Sequence, residues 1–595
     1  MIFIDNDNRT VVWLGFVTFI LSTLFVWQGL DFTDMGFWLT GYQQFYSHPE
    51  TIWAVTWLSS FIGHWIGLAL GGSVLSYKFG YVIVVTTSAV ITFLLLGSQL
   101  GRSRMLAAMV LLTVFFTRGF GGNWIGYNEL TSLFYLIGVV LLFFGLIDNR
   151  KILVVLAGVV LGANLFIRLP NLVGIVLVCA VWLYAWSCRW SWRNILAWTF
   201  AFIGGFILGA ALIWALILMH GHENIYLQSV KSILSEAESD SAPHAGGGLL
   251  KLLIRDHIRS FLEALIVLTL GGYFFNLIAR KKTLVVYGLI IISVLLLTYI
   301  SYGHGYWRTA FTGICYIVLL AVIFSKYREY KSLTLLAFMS VVVLFITPLG
   351  STNGMSNAVF GMWLALPFTL IWLFGCSGTS LPFWFKTGDD RLDIKSKFSI
   401  DSSGYRILSK TIMITILLQS TIVAWRHTYL DSKNRFEMST SIAHPLLIGT
   451  FTTTERAKVV TELIEAMAHF TKPDDEVLAY NGIPAVYFLT KTHPWLGISW
   501  PDFEGSGKIA NLIRQKEQTG ARLPCIVRAT GSTYEKSWPK GAPPLATWWR
   551  QDEPRRVFDE FEKKHGYVVA WSNGFFEILI HPDASNHWEK GDATP

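Results

Sequence analysis

The sequence predicts a polytopic α-helical membrane protein of about thirteen transmembrane helices with a soluble C-terminal α/β domain. Three observations lead there. Of 595 residues, 53% are hydrophobic and only 14% are charged, where a water-soluble chain carries about a quarter charged residues. Apolar runs of roughly 18 residues or more, enough to cross a ~30 Å hydrocarbon core, recur between Val11 and Trp425. From Arg426 onward the chain becomes charged and ordinary, with helix and strand signals alternating.

The first run, Val11 to Trp27, follows "MIFIDNDNR". That stretch mixes acids with one arginine, and no small-residue cleavage site follows, so the run is read as a retained helix. Residues 30–77 form a long segment on the outer surface. Within it Phe61 to Leu75 is apolar enough to span, but counting it would put the Arg102 loop outside. It is therefore placed as a tilted or re-entrant surface helix. The remaining spans fall near 79–99, 105–117, 130–147, 152–167, 171–187, 195–219, 258–279, 283–300, 310–325, 332–348, 358–376 and 408–425. Basic clusters at Arg102/Arg104, Arg150/Lys151, Arg189/Arg193, Arg280 to Lys282, Lys326 to Lys331 and Lys386 to Lys410 separate alternate pairs and mark the cytoplasmic side. The outer loops are then 118–129, 168–170, 220–257, 301–309 and 349–357, with "SDSAPHAGGG" (239–248) as a flexible loop. Residues 1–425 make the membrane domain and 426–595 the outer soluble domain.

The soluble part reads as helices at "ERAKVVTELIEAMAHF", "KIANLIRQKEQTG" and "RRVFDEFEKKHG". Strands are expected at "DEVLAY" and "LPCIVRA", with a strand pair at "YVVAWS" and "FFEILI". Cys179, Cys188, Cys315 and Cys376 sit in or beside apolar segments and Cys525 in the tail, so no disulfide framework is implied. The net charge of +8 is distributed by topology and indicates no nucleic-acid partner.

Polar residues collect at the outer helix ends. "GLDFTDMGFW" puts Asp31 and Asp34 three apart, a spacing that shares one face of a helix. Met35, Trp38, Leu39, Tyr42, Phe45 and Tyr46 follow at spacings of three and four, which suits an amphipathic helix lying in the membrane interface. The acids are either the cap of that helix or a general base or metal-binding pair at the membrane surface. Glu129 in "GYNEL" suits a helix N-terminus as well as a site. Arg168 in "FIRLPN" runs against the positive-inside trend, which favours a phosphate or carboxylate partner, or it snorkels. His220, His222 and Glu223 in "MHGHENIY" resemble a weak metal cluster or plain loop residues. "SYGHGYWRTA" places Tyr306, Trp307 and Arg308 where a phosphate and a sugar ring could bind, or where an aromatic belt would lie. "PLGSTNGMSN", with Asn353, offers backbone N–H groups to an anion or is only a turn.

This order of features resembles the GT-C superfamily of integral-membrane glycosyltransferases. Its layout is most like the lipid A aminoarabinose transferases and the protein O-mannosyltransferases. The first helix ends in the acidic loop "DFTDMGFW", surface helices and spans follow, and an outer α/β tail closes the chain. The tail's "KPDDEVLAYNGIPAVYFLTKTHP" resembles the soluble-domain segment of those proteins. The resemblance implies inverting sugar transfer from a polyprenyl-phosphate donor to a lipid, glycan or protein acceptor. The setting it implies is a multi-pass protein of the bacterial inner membrane with its C-terminal domain on the periplasmic side. It casts Asp34, or Asp31, as catalytic base or metal-binding acid, with a divalent metal ion as a possible cofactor. Asp–Met–Gly stands here where many members have Asp–Glu, so the choice between the two acids stays open. Arg168, Arg308 and Lys78 fall to the donor phosphate, with Glu129, Tyr306, Trp307, His222, Glu223 and Asn353 lining the substrate cavity. A flippase or transporter for a lipid-linked saccharide would instead carry ionisable groups at mid-membrane. A polysaccharide polymerase or ligase would not be expected to carry so large a soluble tail, and a non-catalytic envelope scaffold would not need the aspartates.

Overall fold

The structure, a computed structural model, describes residues 6–118, 122–238, 246–279, 283–304, 307–326, 330–351, 353–375, 402–426, 428–540 and 552–582. Tyr306, Cys376, Arg280 to Lys282, loop residues 239–245 and the 386–401 part of the last basic segment lie outside them.

Among the described residues the regular structure of the membrane part is helical: α1 (Asn6–Thr23), α2 (Asp34–Gln43), α3 (Trp57–Leu70), α4 (Val74–Leu100), α5 (Arg104–Arg118), α6 (Tyr127–Ile147), α7 (Lys151–Asn164), α8 (Val178–Ser187), α9 (Trp192–Met219), α10 (Glu223–Glu238), α11 (Gly246–Ile266), α12 (Gly272–Ala279), α13 (Thr283–His304), α14 (Trp307–Lys326), α15 (Lys331–Ile346), α16 (Met362–Gly375) and α17 (Ser402–Arg426). Among the described residues seven helical stretches are long and apolar enough to cross a membrane: Val74–Leu100, Tyr127–Ile147, Leu169–Ser187, Trp192–Met219, Leu250–Ile278, Gly354–Leu373 and Arg406–Arg426. The other six predicted spans are helical too, but over shorter apolar stretches, from Arg9–Thr23 to Lys331–Ile346.

Small residues let α7 and α9 touch at the backbone. A Cβ on Gly158 would stand 2.3 Å from the Phe202 carbonyl oxygen, and one on Gly209 would stand 2.0 Å from that of Val159. Gly158/Gly162 and Gly205/Gly209 thus form facing small-xxx-small pairs, the packing that membrane helices use where no hydrophobic drive separates them from lipid.

The C-terminal region is α/β, as the alternating pattern indicates. A five-stranded mixed sheet runs in the order β4-β3-β5-β7-β6, built from β3 (Glu476–Tyr480), β4 (His493–Pro494), β5 (Cys525–Ala529), β6 (Val568–Ser572) and β7 (Phe576–Ile580). A small antiparallel pair, β1 (Thr440–Ser441) and β2 (Phe451–Thr452), precedes it. Helices α18 (Thr454–Phe470), α19 (Ala485–Thr490), α20 (Ser506–Gln518) and α21 (Asp552–Lys564) cover the sheet.

This region does not hang free. One continuous apolar core joins Phe32, Leu39 and Phe45 of the first connecting segment to Val477, Val527 and Ile578 of the sheet. The interfacial helix expected after the acids is consequently different. In α2, Met35, Leu39 and Tyr42 are all buried, and Phe45 just beyond it is buried too. A helix that is apolar nearly all round is a core helix. Gly36 is the contact point, since a Cβ there would fall 2.4 Å from the Ala485 nitrogen. Thr40 Oγ1 donates to the Pro484 carbonyl at 3.2 Å beside it.

Candidate active site

The site begins where α1 ends. The chain turns at Gly29, whose φ is +98°, a conformation open to glycine. Gly29 N–H donates to the Phe451 carbonyl, and Phe451 N–H donates to that of Trp27. Lys78, buried in α4, donates its ammonium to the Gln28 and Gly29 carbonyls at 3.1 and 2.7 Å. Its place is therefore under the turn, bracing it.

Asp31 does not share a helix with Asp34, because α2 starts at Asp34. It caps that helix from outside: Oδ1 accepts from Thr33 N–H and Oγ1, and Oδ2 accepts from Met35 N–H at 2.8 Å. Burial pushes its carboxyl up to about 7, the charge of Asp34 adds to the rise, and the three donors oppose it. Asp34, the first residue of α2, is half-buried. Among the described residues its carboxylate accepts one hydrogen bond, from the Tyr429 hydroxyl. Burial raises its pKa and that hydrogen bond lowers it.

Tyr429 lies in the connection from α17 to the C-terminal region, with its ring against the edge of Trp124 at 5.4 Å. The next turn of α2 presents Phe37 and Trp38. Trp38 meets Tyr127 at 5.1 Å and Trp53 at 6.0 Å. Phe37 meets Trp500 of the C-terminal region at 5.8 Å. Asp34 is thus flanked by aromatic rings from α2, α6 and the C-terminal region.

Glu129 lies in the first turn of α6, three residues past its N-cap Gly126, where an acid faces the helix's free N–H groups. Arg168 is 7% exposed. Its guanidinium donates to the Thr347 and Leu349 carbonyls at 2.9 and 2.5 Å. Among the described residues it makes no ion pair with a carboxylate. Tyr127 is an electrostatic neighbour of both Arg168 and Asp34. The segment carrying Arg168 is held by Asn171, which donates to Thr131 Oγ1 and Asn164 Oδ1 at 2.9 and 3.0 Å.

The remaining candidates stand apart from this centre or within structural contacts. His222 Nδ1 accepts from the Trp57 indole at 3.0 Å, while His220 pairs with the Tyr46 hydroxyl and its ring stands at 88° to that of His222. Glu223 opens α10, with one carboxylate oxygen buried and unpartnered. Asn353 is exposed, and its N–H is taken by Ser351 Oγ at 3.1 Å. Trp307 and Arg308 start α14, but their side chains, like Tyr306 as a whole, lie outside the described residues. A groove of about 970 Å³ opens in the C-terminal region between α18 and the β6–β7 turn, and none of the candidate residues lines it.

A divalent ion finds no fitting ligand set here. Both oxygens of Asp31 are engaged by N–H and O–H donors, and among the described residues no group of three or more His, Cys, Asp or Glu could hold a metal.

Two parts of the site were not singled out in the sequence. Tyr429 and Asp431 stand in "HTYLDSKNR", just past the last apolar run, and the rule applied to the other helix ends reaches them. Arg456 stands in the helix expected at "ERAKVVTELIEAMAHF", and it is fully buried.

No protein-family model matches the chain, and no curated protein matches it. Among solved structures the chain is similar to an Archaeoglobus fulgidus oligosaccharyltransferase tethered through a disulfide to an acceptor peptide containing the NVT sequon. The match has 11% identity and a TM-score of 0.45, covering 88% of this chain and 69% of that one.

Proposed function

We propose that this chain is a membrane glycosyltransferase of GT-C type that moves a sugar from a polyprenyl-phosphate donor to a lipid, glycan or protein acceptor, with inversion. The observation that carries this is a buried acid and a buried guanidinium that share one neighbour, Tyr127. Asp34 is half-buried and, among the described residues, has a single phenolic partner, while Arg168 is buried and, among the described residues, donates to carbonyls and to no carboxylate. A buried guanidinium bonded only to carbonyls keeps its charge uncompensated, and a phosphate meets that need.

The donor's prenyl chain stays in the bilayer against the helices while its sugar phosphate reaches the site. Asp34 takes the proton of the acceptor hydroxyl or amine. That atom attacks the anomeric carbon, and the bond from this carbon to the phosphate oxygen breaks. The electron pair leaves with the phosphate, where Arg168, with Arg308 as a second cation, stabilises the charge. Asp31 and Lys78 hold the turn that presents Asp34. The aromatic rings around Asp34 suit a sugar ring. The chain works in a bacterial inner membrane, with residues 426–595 as an α/β domain on the periplasmic side. No step runs through a metal.

The test is transfer of radiolabelled sugar from polyprenyl-phosphate donors by membranes carrying the wild type or Asp34→Asn at matched expression. Removing a general base lowers the rate about 10²- to 10⁴-fold. Equal transfer by both would take Asp34 out of the chemistry, and no transfer by either would refute the function.

A further inference from the structure

We infer that Tyr429 is a positioning residue for Asp34, delivered by the segment that ties the last membrane helix to the C-terminal region, so that docking of this region assembles the reactive carboxylate. The inference rests on the glycosyltransferase reading and adds to it a dependence of the membrane site on the C-terminal region.

Four observations carry it. First, the Tyr429 hydroxyl is the one donor that Asp34 has among the described residues. A carboxylate held through Oδ2 keeps Oδ1 in one direction for a reacting proton, where an unheld side chain would sample several rotamers. Second, the ring of Tyr429 is itself fixed by Trp124, at 5.4 Å.

Third, the backbone next to Tyr429 is strained. Leu430 has φ +47°, a conformation that a γ-branched residue rarely adopts and that persists only where its surroundings over-determine it. The carbonyl of Leu430 accepts from Arg456 at 3.0 Å. Fourth, the adjoining Asp431 is anchored to the very segment that carries Asp34. Its Oδ2 accepts from Leu30 N–H at 2.7 Å and from Thr452 Oγ1 at 2.8 Å. Its Oδ1 faces the Arg456 guanidinium at 2.6 Å, with both side chains fully buried. Phenol and carboxylate therefore sit on two strands of chain pinned together four residues or fewer from their meeting point. The pin, Arg456, belongs to α18.

Tyr127 and Tyr534 also stand near the acid, as electrostatic neighbours, together with Asp31.

The experiment compares steady-state transfer by wild type, Tyr429→Phe, Arg456→Lys and Asp34→Asn in detergent-solubilised full-length protein, using a radiolabelled polyprenyl-phosphate sugar. Phenylalanine keeps the packing against Trp124 and removes only the donor. Losing an orienting partner lowers kcat about 10- to 100-fold, with the donor KM within about twofold of wild type because no donor contact changes. Arg456→Lys, remote from the reacting atoms, loosens the pin and reproduces the same split. Wild-type kcat in Tyr429→Phe, with Asp34→Asn inert, overturns this inference and leaves the function standing. Should Tyr429→Phe fail to fold, unchanged kcat in Arg456→Lys overturns it instead. A rise in KM with kcat retained would make Tyr429 a binding residue and also refute the inference. No transfer by the wild type refutes the function, and this inference with it.

Discussion

Replacing Arg456 with methionine tests the joint between the two parts of the molecule. Arg456 and Asp431 form an ion pair at 2.6 Å with both side chains fully buried. Coulomb's law at an effective permittivity of about 20 gives roughly 6 kcal/mol at that distance, much of it offset by desolvation of the two ions. The guanidinium also donates to the carbonyls of Leu30, Leu430, Lys536 and Trp538 and lies over the Trp538 ring at 4.0 Å. Methionine fills similar volume but takes the guanidinium's hydrogen bonds from those carbonyls and leaves Asp431 without its countercharge. Asp431 keeps three donors, from Leu30, Ser432 and Thr452, so the carboxylate is not wholly abandoned. Breaking a buried pair by removing one partner costs about 3–5 kcal/mol, and the retained donors place the expected loss near the lower end, about 3 kcal/mol. Pulse proteolysis across a urea series on the detergent-solubilised protein, following release of the C-terminal fragment, reads this loss. In a double-mutant cycle with Asp431→Asn, the two losses fall short of additive by about 1–3 kcal/mol. A loss under about 1 kcal/mol, or strict additivity, would show that the pair does not hold the joint.

Gly36→Ala drives a methyl into the backbone of Ala485, 2.4 Å away at its nitrogen. Overpacking of this kind costs about 1–3 kcal/mol, read as earlier release of the C-terminal fragment. Arg168→Met lowers kcat for transfer about 10²- to 10³-fold through loss of leaving-group stabilisation, and wild-type kcat in that variant would remove Arg168 from the phosphate site. Asp31 makes stability fall with pH. Its folded pKa, raised by burial to about 7, exceeds the unfolded value of about 4, so the folded state binds more protons between the two. The penalty is absent below about pH 4, grows through that window and saturates above about pH 7. Urea midpoints at pH 4.5 and 8 check this, and a flat profile would show that Asp31 folds ionised.

Composition and hydropathy made the membrane class legible because the bilayer imposes one requirement, apolar length, that a sequence shows directly. In the C-terminal region the strands expected at 475–480, 523–529, 567–572 and 575–580 appear at 476–480, 525–529, 568–572 and 576–580, and the helices expected from 455, 508 and 555 begin at Thr454, Ser506 and Asp552. Their periodicities match one-sided burial. What a linear pattern could not show is burial on all sides. The spacing of Met35, Trp38 and Tyr42 fits an interfacial helix, yet α2 is enclosed because the C-terminal region covers its other face through Gly36 and Thr40. Arg456 is the same case: the helix that carries it is legible, and only the fold supplies Asp431 to it. Asp31 and Asp34 were legible as a pair but not apart. What separates them is a cap made by Thr33 and Met35 and a phenol contributed 395 positions along the chain.

In the proposed chemistry Asp34 is the reacting acid and Asp31 its support. Side-by-side transfer assays of Asp31→Asn and Asp34→Asn, normalised to folded protein in the same membranes, test it most directly. The expected result is that Asp34→Asn lowers transfer from a polyprenyl-phosphate sugar about 10²- to 10⁴-fold, while Asp31→Asn lowers folded yield but transfers at a substantial fraction of the wild-type rate per folded molecule. Full activity in Asp34→Asn, or a dead but well-folded Asp31→Asn beside an active Asp34→Asn, would contradict it.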